Sequence, residues 1–170
     1  LIEYPNPEKH LLKKTNVMSI ESKLEERGFT LPDAPKPVAA YVSAVTSRGH
    51  VIVSGQLPMQ NGELMSTGKV PTQVSIENAQ NAARQCVLNG LAALKAELDG
   101  DLTRLLRVVR IGVFVQSSDD FYGQPQVANG ASELLNDILG ESGRHVRAAV
   151  GVNALPLNAP VEVEFIFEVE

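Results

Sequence analysis

The chain has 170 residues, 44% of them hydrophobic and 21% charged, with a formal net charge of −5 at pH 7. This composition indicates a soluble globular protein large enough for one domain with a real core. The acidic balance disfavours nucleic acid as a partner, because phosphate backbones select basic surfaces. No run approaches the roughly 18 apolar residues of a membrane span. A single cysteine excludes an internal disulfide, so we expect a cytoplasmic protein.

Residues 1–17 differ from the rest, because they are polar, contain two prolines and precede Met18. Two interpretations stay open: a tag or linker ahead of a natural start at Met18, or a disordered N-terminal arm. Residues 18–170 are expected to form a single domain, with a helical extension over residues 19–33 at its start. In this extension Ser19 is placed to cap a short helix that ends at Gly28, and a proline-rich connector follows.

The next elements are a predicted hairpin and a long helix. Tyr41–Val45 and His50–Ser54 are two short strands separated by the turn sequence TSRG, and the Gly- and Pro-containing segment after them is expected to be an irregular loop. The helix spans Val74–Leu98, where small apolar residues recur at three- and four-residue steps. Asp101 is placed to cap a short turn, LTRLL.

The second half predicts three strands and one helix. Val108–Val115 is mostly apolar, as expected of a strand covered on both faces. A helix over residues 127–140 ends at Gly140, and a strand over residues 147–152 follows. Val161–Glu170 alternates: Val161, Val163, Phe165, Phe167 and Val169 share one face, and Glu162, Glu164, Ile166, Glu168 and Glu170 share the other.

This order of elements indicates an α+β domain with a single mixed sheet and two helices on one face. The other face must also be covered, and Ile166 among the glutamates suggests that a partner subunit covers it.

Common catalytic signatures are missing from the sequence. There is no G-x-S-x-G elbow, no Walker A loop and no G-x-G-x-x-G. The histidines are scattered, and with one cysteine no thiolate-rich zinc site is expected. Cys86 lies mid-helix among alanines and is interpreted as a buried, inert thiol rather than as a nucleophile.

Arg147 opens a run of small apolar residues that otherwise resembles a buried strand. An unpaired buried charge costs several kcal/mol, so this arginine is either solvated, structurally paired or a binder of an anion. The glutamates of the last strand form a solvated face, or Arg147 offsets them by pairing with Glu162 or sharing a site with it. Arg144 and His145 are either parts of a solvated loop or ligand contacts.

Three segments together resemble the reactive-intermediate deaminase (YjgF-type, also labelled endoribonuclease L-PSP) family. They are AAYVSAV with VIVSGQLP, then VRIGVFVQSSDDFYGQPQVANGASELL, then VRAAVGVNALPLNAPVEVEFIFEV. The resemblance covers about Ala34 to Glu170. It implies a chorismate-mutase-like fold, a homotrimer with clefts between subunits, and cofactor-free hydrolysis of 2-aminoacrylate-type enamines and imines to the keto acid and ammonia.

The resemblance also implies the site residues. Arg147 matches the carboxylate-binding arginine, and Glu162 matches the glutamate that activates water or contacts the imine. Tyr41 matches the cleft tyrosine, the loop residues Ser54 and Gly55 border the site, and Asn129 matches the helix asparagine. No metal is implied. The chain departs from the pattern at Ala149, where active deaminases usually carry cysteine, and in the lead-in GRHV before Arg147.

Two other functions stay open. The first is a trimeric binding module that holds a small carboxylic acid, a keto acid or a partner protein without turnover, and Ala149 favours it. The second is a ribonuclease, which the family label suggests and the acidic composition disfavours.

Overall fold

The computed structural model describes residues 18–34 and 40–170. The interpretations of residues 1–17 lie outside this described part, as do residues 35–37 at the end of the proline-rich connector. The helices are α1 (Ile20–Glu25), α2 (Ile76–Glu97) and α3 (Gln124–Leu139). The strands are β1 (Ala44–Ser47), β2 (His50–Gln56), β3 (Met59–Gln60), β4 (Glu63–Leu64), β5 (Leu105–Gln116), β6 (Val146–Val152) and β7 (Val161–Val169).

Five strands form one sheet in the order β1-β2-β7-β5-β6. β5 and β6 run parallel, and the other neighbouring pairs are antiparallel. Helices α2 and α3 pack together on one face, with α2 against β7 and β2 and α3 against β6 and β5. The predicted α+β class, with a mixed sheet and two helices on one face, is therefore confirmed.

The core lies between this face and the helices, and β7 carries its centre. All five apolar residues predicted to share a face of β7 are buried, and the Phe165 and Phe167 rings stack with centroids 5.5 Å apart. Burial of each large side chain contributes about 1.5–3 kcal/mol. Gly90 of α2 gives room to Phe165, because a Cβ there would overlap the ring. The small-residue stripe of α2 thus allows close packing.

Cys86 lies on the same buried side of α2, with Sγ 3.9 Å from the Val161 carbonyl oxygen. Burial, reinforced by the nearby Glu162 carboxylate, raises the pKa of this thiol well above its ordinary value. The predicted burial of Cys86 is therefore confirmed, and a buried neutral thiol is a poor nucleophile, which favours the inert interpretation.

The first strand of the hairpin lies later in the chain than predicted, whereas the second strand begins at His50 as predicted. Its turn is only two residues long, Arg48 and Gly49, and both have positive φ (48° and 76°). This geometry matches the twist of the flanking strands. Consequently Ala44–Ser47 is the first strand, Tyr41 precedes it, and β2 continues through Ser54 and Gly55 to Gln56.

The segment predicted as an irregular loop contains a second small hairpin, β3–β4. Its turn is Asn61–Gly62, again with positive φ at both positions (53° and 85°). The dipeptide Asn-Gly is the sequence signal for this turn, and the prediction overlooked it.

Two elements in the second half begin three residues earlier than predicted. β5 begins at Leu105, because Leu105 pairs with Val169 of the long strand β7. α3 begins at Gln124, because Pro125 is acceptable in the first helical turn. The expectation that β5 is covered on both faces fails for the single chain, since Arg110 and Phe114 on its open face are only half-buried.

The N-terminal extension packs against the helical layer. Ser19 caps α1 by accepting a hydrogen bond from the Ser22 amide, and Leu24 is fully buried. Lys95 forms a 2.8 Å ion pair with Glu21, and Arg27 donates to the Asp137 carbonyl oxygen at 3.0 Å. Within residues 18–34 and 40–170, no helix combines the length and apolarity that crossing a membrane requires.

Candidate functional site

Arg147 lies on the edge strand β6 and points toward α3. It pairs with Ile111 of β5, which in turn pairs with Phe165 of β7, so the three side chains share the helix-covered face. Its Nη1 donates to Asn129 Oδ1 and to Ser132 Oγ, each at 3.0 Å, and its Nη2 donates to the Pro125 carbonyl oxygen at 3.4 Å. Predicted site residues Arg147 and Asn129 are therefore in direct contact.

These three acceptors are neutral oxygens of α3. Among the residues that the structure describes, no carboxylate lies within ion-pairing distance of Arg147. The side chain is also exposed. An exposed guanidinium that is oriented by neutral acceptors keeps its full positive charge for an external anion.

The placement of α3 fixes these contacts. Asn129 and Ser132 are three residues apart and so lie on one face of the helix. Gly130 between them faces α2, where a Cβ would overlap the backbone carbonyl of Gln80. The close approach of the two helices thus determines where Asn129 and Ser132 meet Arg147.

Glu162 lies on the opposite, open face of the sheet. It pairs with Phe114 of β5, and on the other side a Cβ at Gly55 of β2 would overlap its Oε1. Among the described residues its carboxylate has no hydrogen-bond or ion-pair partner. Burial, with a smaller effect of Glu164, raises the pKa of Glu162. Glu162 is therefore a partly desolvated carboxylate between an aromatic ring and a glycine.

The predicted pairing of Arg147 with Glu162 is wrong within one chain, because the two side chains lie on opposite faces. The arginine that does offset the glutamates is Arg110 of β5, whose Nη1 lies 2.7 Å from Glu164 Oε1. This ion pair compensates Glu164 and leaves the charge of Glu162 without a counter-ion.

Tyr41 and Ser54 lie near the β1 edge of the sheet. The Tyr41 side chain is 55% exposed. Ser54 Oγ donates to the Val42 carbonyl oxygen at 2.8 Å, and its amide donates to the Ser43 carbonyl oxygen at 2.9 Å. These bonds fix the chain directly after Tyr41. The predicted residues thus form two groups: Arg147 with Asn129, and Glu162 with Gly55, next to Ser54 and the Tyr41 segment.

Ser132 was not among the predicted site residues, although its spacing from Asn129 is a signal that points to it. His145, whose role was left open, contacts Ser132: its Nε2 lies 3.0 Å from Ser132 Oγ. Within the described ranges, no three His, Cys, Asp or Glu side chains are gathered as a metal ion would require.

A model of the Endoribonuclease L-PSP family matches residues 31–169. The chain belongs to this family. Protein TCP17 from Trypanosoma cruzi is 43% identical over 150 residues, which cover 88% of this chain and 93% of that protein. A 2-iminobutanoate/2-iminopropanoate deaminase from Dermatophagoides farinae is 28% identical over 148 residues, or 85% of this chain and 98% of that enzyme.

Among solved structures, the protein Atu1372 from Agrobacterium tumefaciens, described as having unknown function, is 48% identical. It superimposes with a TM-score of 0.84 over 89% of this chain and 92% of that one. The α+β architecture described above is therefore the fold of the L-PSP family. The matched region begins at residue 31, after α1.

Proposed function

We propose that this L-PSP family protein hydrolyses small 2-imino and enamine acids, of the 2-aminoacrylate and 2-iminopropanoate type, to 2-keto acids and ammonia. The observation that carries the proposal is Arg147: an exposed guanidinium, oriented by neutral oxygens and free of any described carboxylate partner. The similarity to a 2-iminobutanoate/2-iminopropanoate deaminase supports the choice of substrate.

Arg147 binds the substrate through its carboxylate. The planar guanidinium offers two parallel N–H groups, which lysine does not match. Each charge-assisted bond contributes about 1.5–3 kcal/mol, against at least ~4 kcal/mol for ordering a free ligand. The small difference gives weak, roughly millimolar binding.

Glu162 then acts as the general base. It takes a proton from water as the oxygen attacks the imine carbon, and it passes this proton to the imine nitrogen. The C–N bond of the resulting carbinolamine then breaks as its hydroxyl proton moves to nitrogen, which releases ammonia and leaves the keto acid. A carboxylate with a raised pKa is a better base near neutral pH than an ordinary one, because its pKa lies closer to the working pH. The raised pKa of Glu162 suits this role.

The opposite-face placement of Arg147 and Glu162 favours a site built from two subunits. β6, which carries Arg147, is one edge of the sheet, and β1, which follows Tyr41, is the other edge. In a cyclic homotrimer the β6 edge of one subunit lies beside the β1 edge of the next, so Arg147 and Asn129 of one copy meet Glu162 and Gly55 of another. The exposed apolar residues Ile52 and Val150 on the open face support such an assembly.

A coupled assay tests the activity. A serine dehydratase generates 2-aminoacrylate, and release of pyruvate is followed with and without the protein. The wild type is expected to accelerate release, and Arg147→Ala is expected to abolish the acceleration. Arg104→Ala is the matched control. This arginine donates to the Glu170 carbonyl oxygen and lies seven residues before Ile111, the β5 residue that pairs with Arg147. No acceleration by the wild type refutes the proposal.

Subunit mixing tests the shared site. Arg147→Ala and Glu162→Gln are each expected to be inactive, whereas co-refolded mixtures regain about a quarter of the activity, because a quarter of the clefts in random trimers combine intact halves. Mixtures that stay inactive argue against a site shared between subunits.

One observation favours a second function, a binding module without turnover. Ala149 lies two residues after Arg147 on the same face and is half-buried against the core. Alanine carries no thiol, whereas active deaminases of the resembled family usually have cysteine at this position. Stabilisation by 2-oxobutanoate in a thermal shift experiment, together with no acceleration in the coupled assay, would favour this function.

A further inference from the structure

A chain of hydrogen bonds extends from Arg147 to His145. Arg147 Nη1 donates to Ser132 Oγ at 3.0 Å, and Ser132 Oγ lies 3.0 Å from His145 Nε2. The other ring nitrogen of His145, Nδ1, lies 2.5 Å from the Gly143 carbonyl oxygen. The chain therefore links the site arginine to a half-buried imidazole and then to a fixed backbone group.

The direction of each bond follows from its partners. A carbonyl oxygen only accepts, so Nδ1 of His145 carries the hydrogen. Burial lowers the pKa of His145; the hydrogen bond to Gly143 opposes this shift and the Arg147 charge adds to it, with a net lowering. The ring is therefore neutral at neutral pH, and Nε2 accepts. The Ser132 hydroxyl must then donate to Nε2, which leaves its lone pairs to accept from Arg147.

This direction matters because a helical serine has another acceptor for its hydrogen. Ser and Thr hydroxyls in helices commonly donate to the carbonyl four residues earlier, which here belongs to Ala128. By taking the hydrogen, His145 keeps the Ser132 lone pairs turned toward the guanidinium. The third bond of Arg147, to the Pro125 carbonyl oxygen, is the longest of the set.

We infer that His145 is a positioning residue: acting through the Ser132 hydroxyl, it holds the Arg147 guanidinium in the orientation that receives the carboxylate of a small 2-keto or 2-imino acid. The inference rests on the proposed function in taking Arg147 as the carboxylate binder. It is tested by ligand binding without turnover, so the two fail separately.

Two substitutions separate the ring nitrogens. His145→Gln places an amide oxygen near the position of Nε2 and keeps an acceptor for Ser132, whereas His145→Asn keeps only the donor toward Gly143. Binding of 2-oxobutanoate is measured by calorimetry. His145→Asn is expected to raise Kd about tenfold, the equivalent of one hydrogen bond to a charged group, and His145→Gln to stay within about threefold of the wild type. Equal Kd values for the two variants would overturn the inference.

Ser132→Ala provides the second arm. It is expected to raise Kd about tenfold, and adding His145→Asn to it is expected to change Kd by less than about twofold, because the histidine acts only through the serine. Additive effects would show that His145 acts by another route. In the coupled assay, His145→Asn is expected to raise KM while kcat stays within about twofold.

Nitrogen NMR of the labelled wild type at pH 7.5 provides a readout that needs no ligand. The His145 signals, assigned by their loss in His145→Gln, are expected to show a neutral ring protonated at Nδ1. A ring protonated at Nε2 would overturn the inference, as would a wild type that does not bind 2-oxobutanoate. A wild type that binds 2-oxobutanoate but gives no acceleration refutes the deaminase alone.

Discussion

Truncation of Leu24 tests whether the N-terminal extension stabilises the whole domain. Leu24 is the one fully buried residue of α1, and it belongs to the same hydrophobic cluster as the sheet and the two long helices. α1 has only six residues, too few for a helix that is stable alone in water. We therefore expect its stability to come from this anchor rather than from helix propensity.

The magnitude follows from the burial. Leu→Ala at a fully buried site costs about 2–5 kcal/mol, because the transfer free energy is lost and a cavity remains. Leu24 is fully buried in this cluster, so we expect a loss inside this range, about 3 kcal/mol. For a domain of this size, that loss lowers Tm by about 6–12 °C.

Urea unfolding followed by circular dichroism measures the change. Lys95→Ala is the matched control, because it removes the ion pair with Glu21 and keeps Leu24 buried. Both members of this pair are partly exposed, so the control is expected to cost at most about 1 kcal/mol. A Leu24→Ala protein within about 0.5 kcal/mol of the wild type would refute the reasoning, since α1 would then lie outside the cooperative unit.

Three further variants test the helix contact and the two titrating groups. Gly130→Ala is expected to lower the free energy of unfolding measured in urea. Overlap of the new Cβ with the Gln80 carbonyl costs about 1–3 kcal/mol, which exceeds the gain of up to ~1 kcal/mol in helix propensity. A variant as stable as the wild type, or more stable, would contradict this expectation. Glu162→Gln is expected to stabilise the protein at pH 7.5 and not at pH 4: a raised pKa means that the folded state favours the protonated form, so the stability that Glu162 contributes is lost as pH rises above 4.5. The same difference at both pH values would show that charge is not the cause. For His145 the lowered pKa means that its contribution to stability is present above pH 6.5 and is lost as pH falls below 6.5. His145→Gln should therefore flatten the decline in the free energy of unfolding, measured by urea titrations between pH 7.5 and 5. An unchanged decline would assign the pH dependence to other groups.

The strands and helices with regular patterns were predictable from the sequence. The alternation of β7 fixes which residues are buried, because one face of a strand must meet the core. The positions where the prediction failed are those where pairing decides: Leu105 is a strand residue only because Val169 lies opposite it. The predicted turn TSRG was two residues too long, because positive φ at an arginine such as Arg48 has no local sequence signal.

The site was predictable only in part. Chain order and motif resemblance singled out Arg147 and Asn129, and the structure brings them into contact. The alternation of β7 shows the face of Glu162, but the run of small residues in β6 does not show which face Arg147 takes. The sequence therefore allowed a pairing of Arg147 with Glu162 that the register excludes. The spacing of Ser132 from Asn129 places both on one face of α3, but no pattern within α3 specifies the helix-to-strand distance that brings Ser132 to Arg147.

The burial of Cys86 makes this one thiol a built-in reporter of global opening. The chain has no other cysteine, so a thiol reagent added to the native protein reacts only when α2 separates from β7. The labelling rate, compared with that in denaturant, then gives the free energy of this opening under native conditions and without an engineered cysteine. Mass spectrometry after timed labelling thus reports how tightly the helical layer is held, with and without a bound acid.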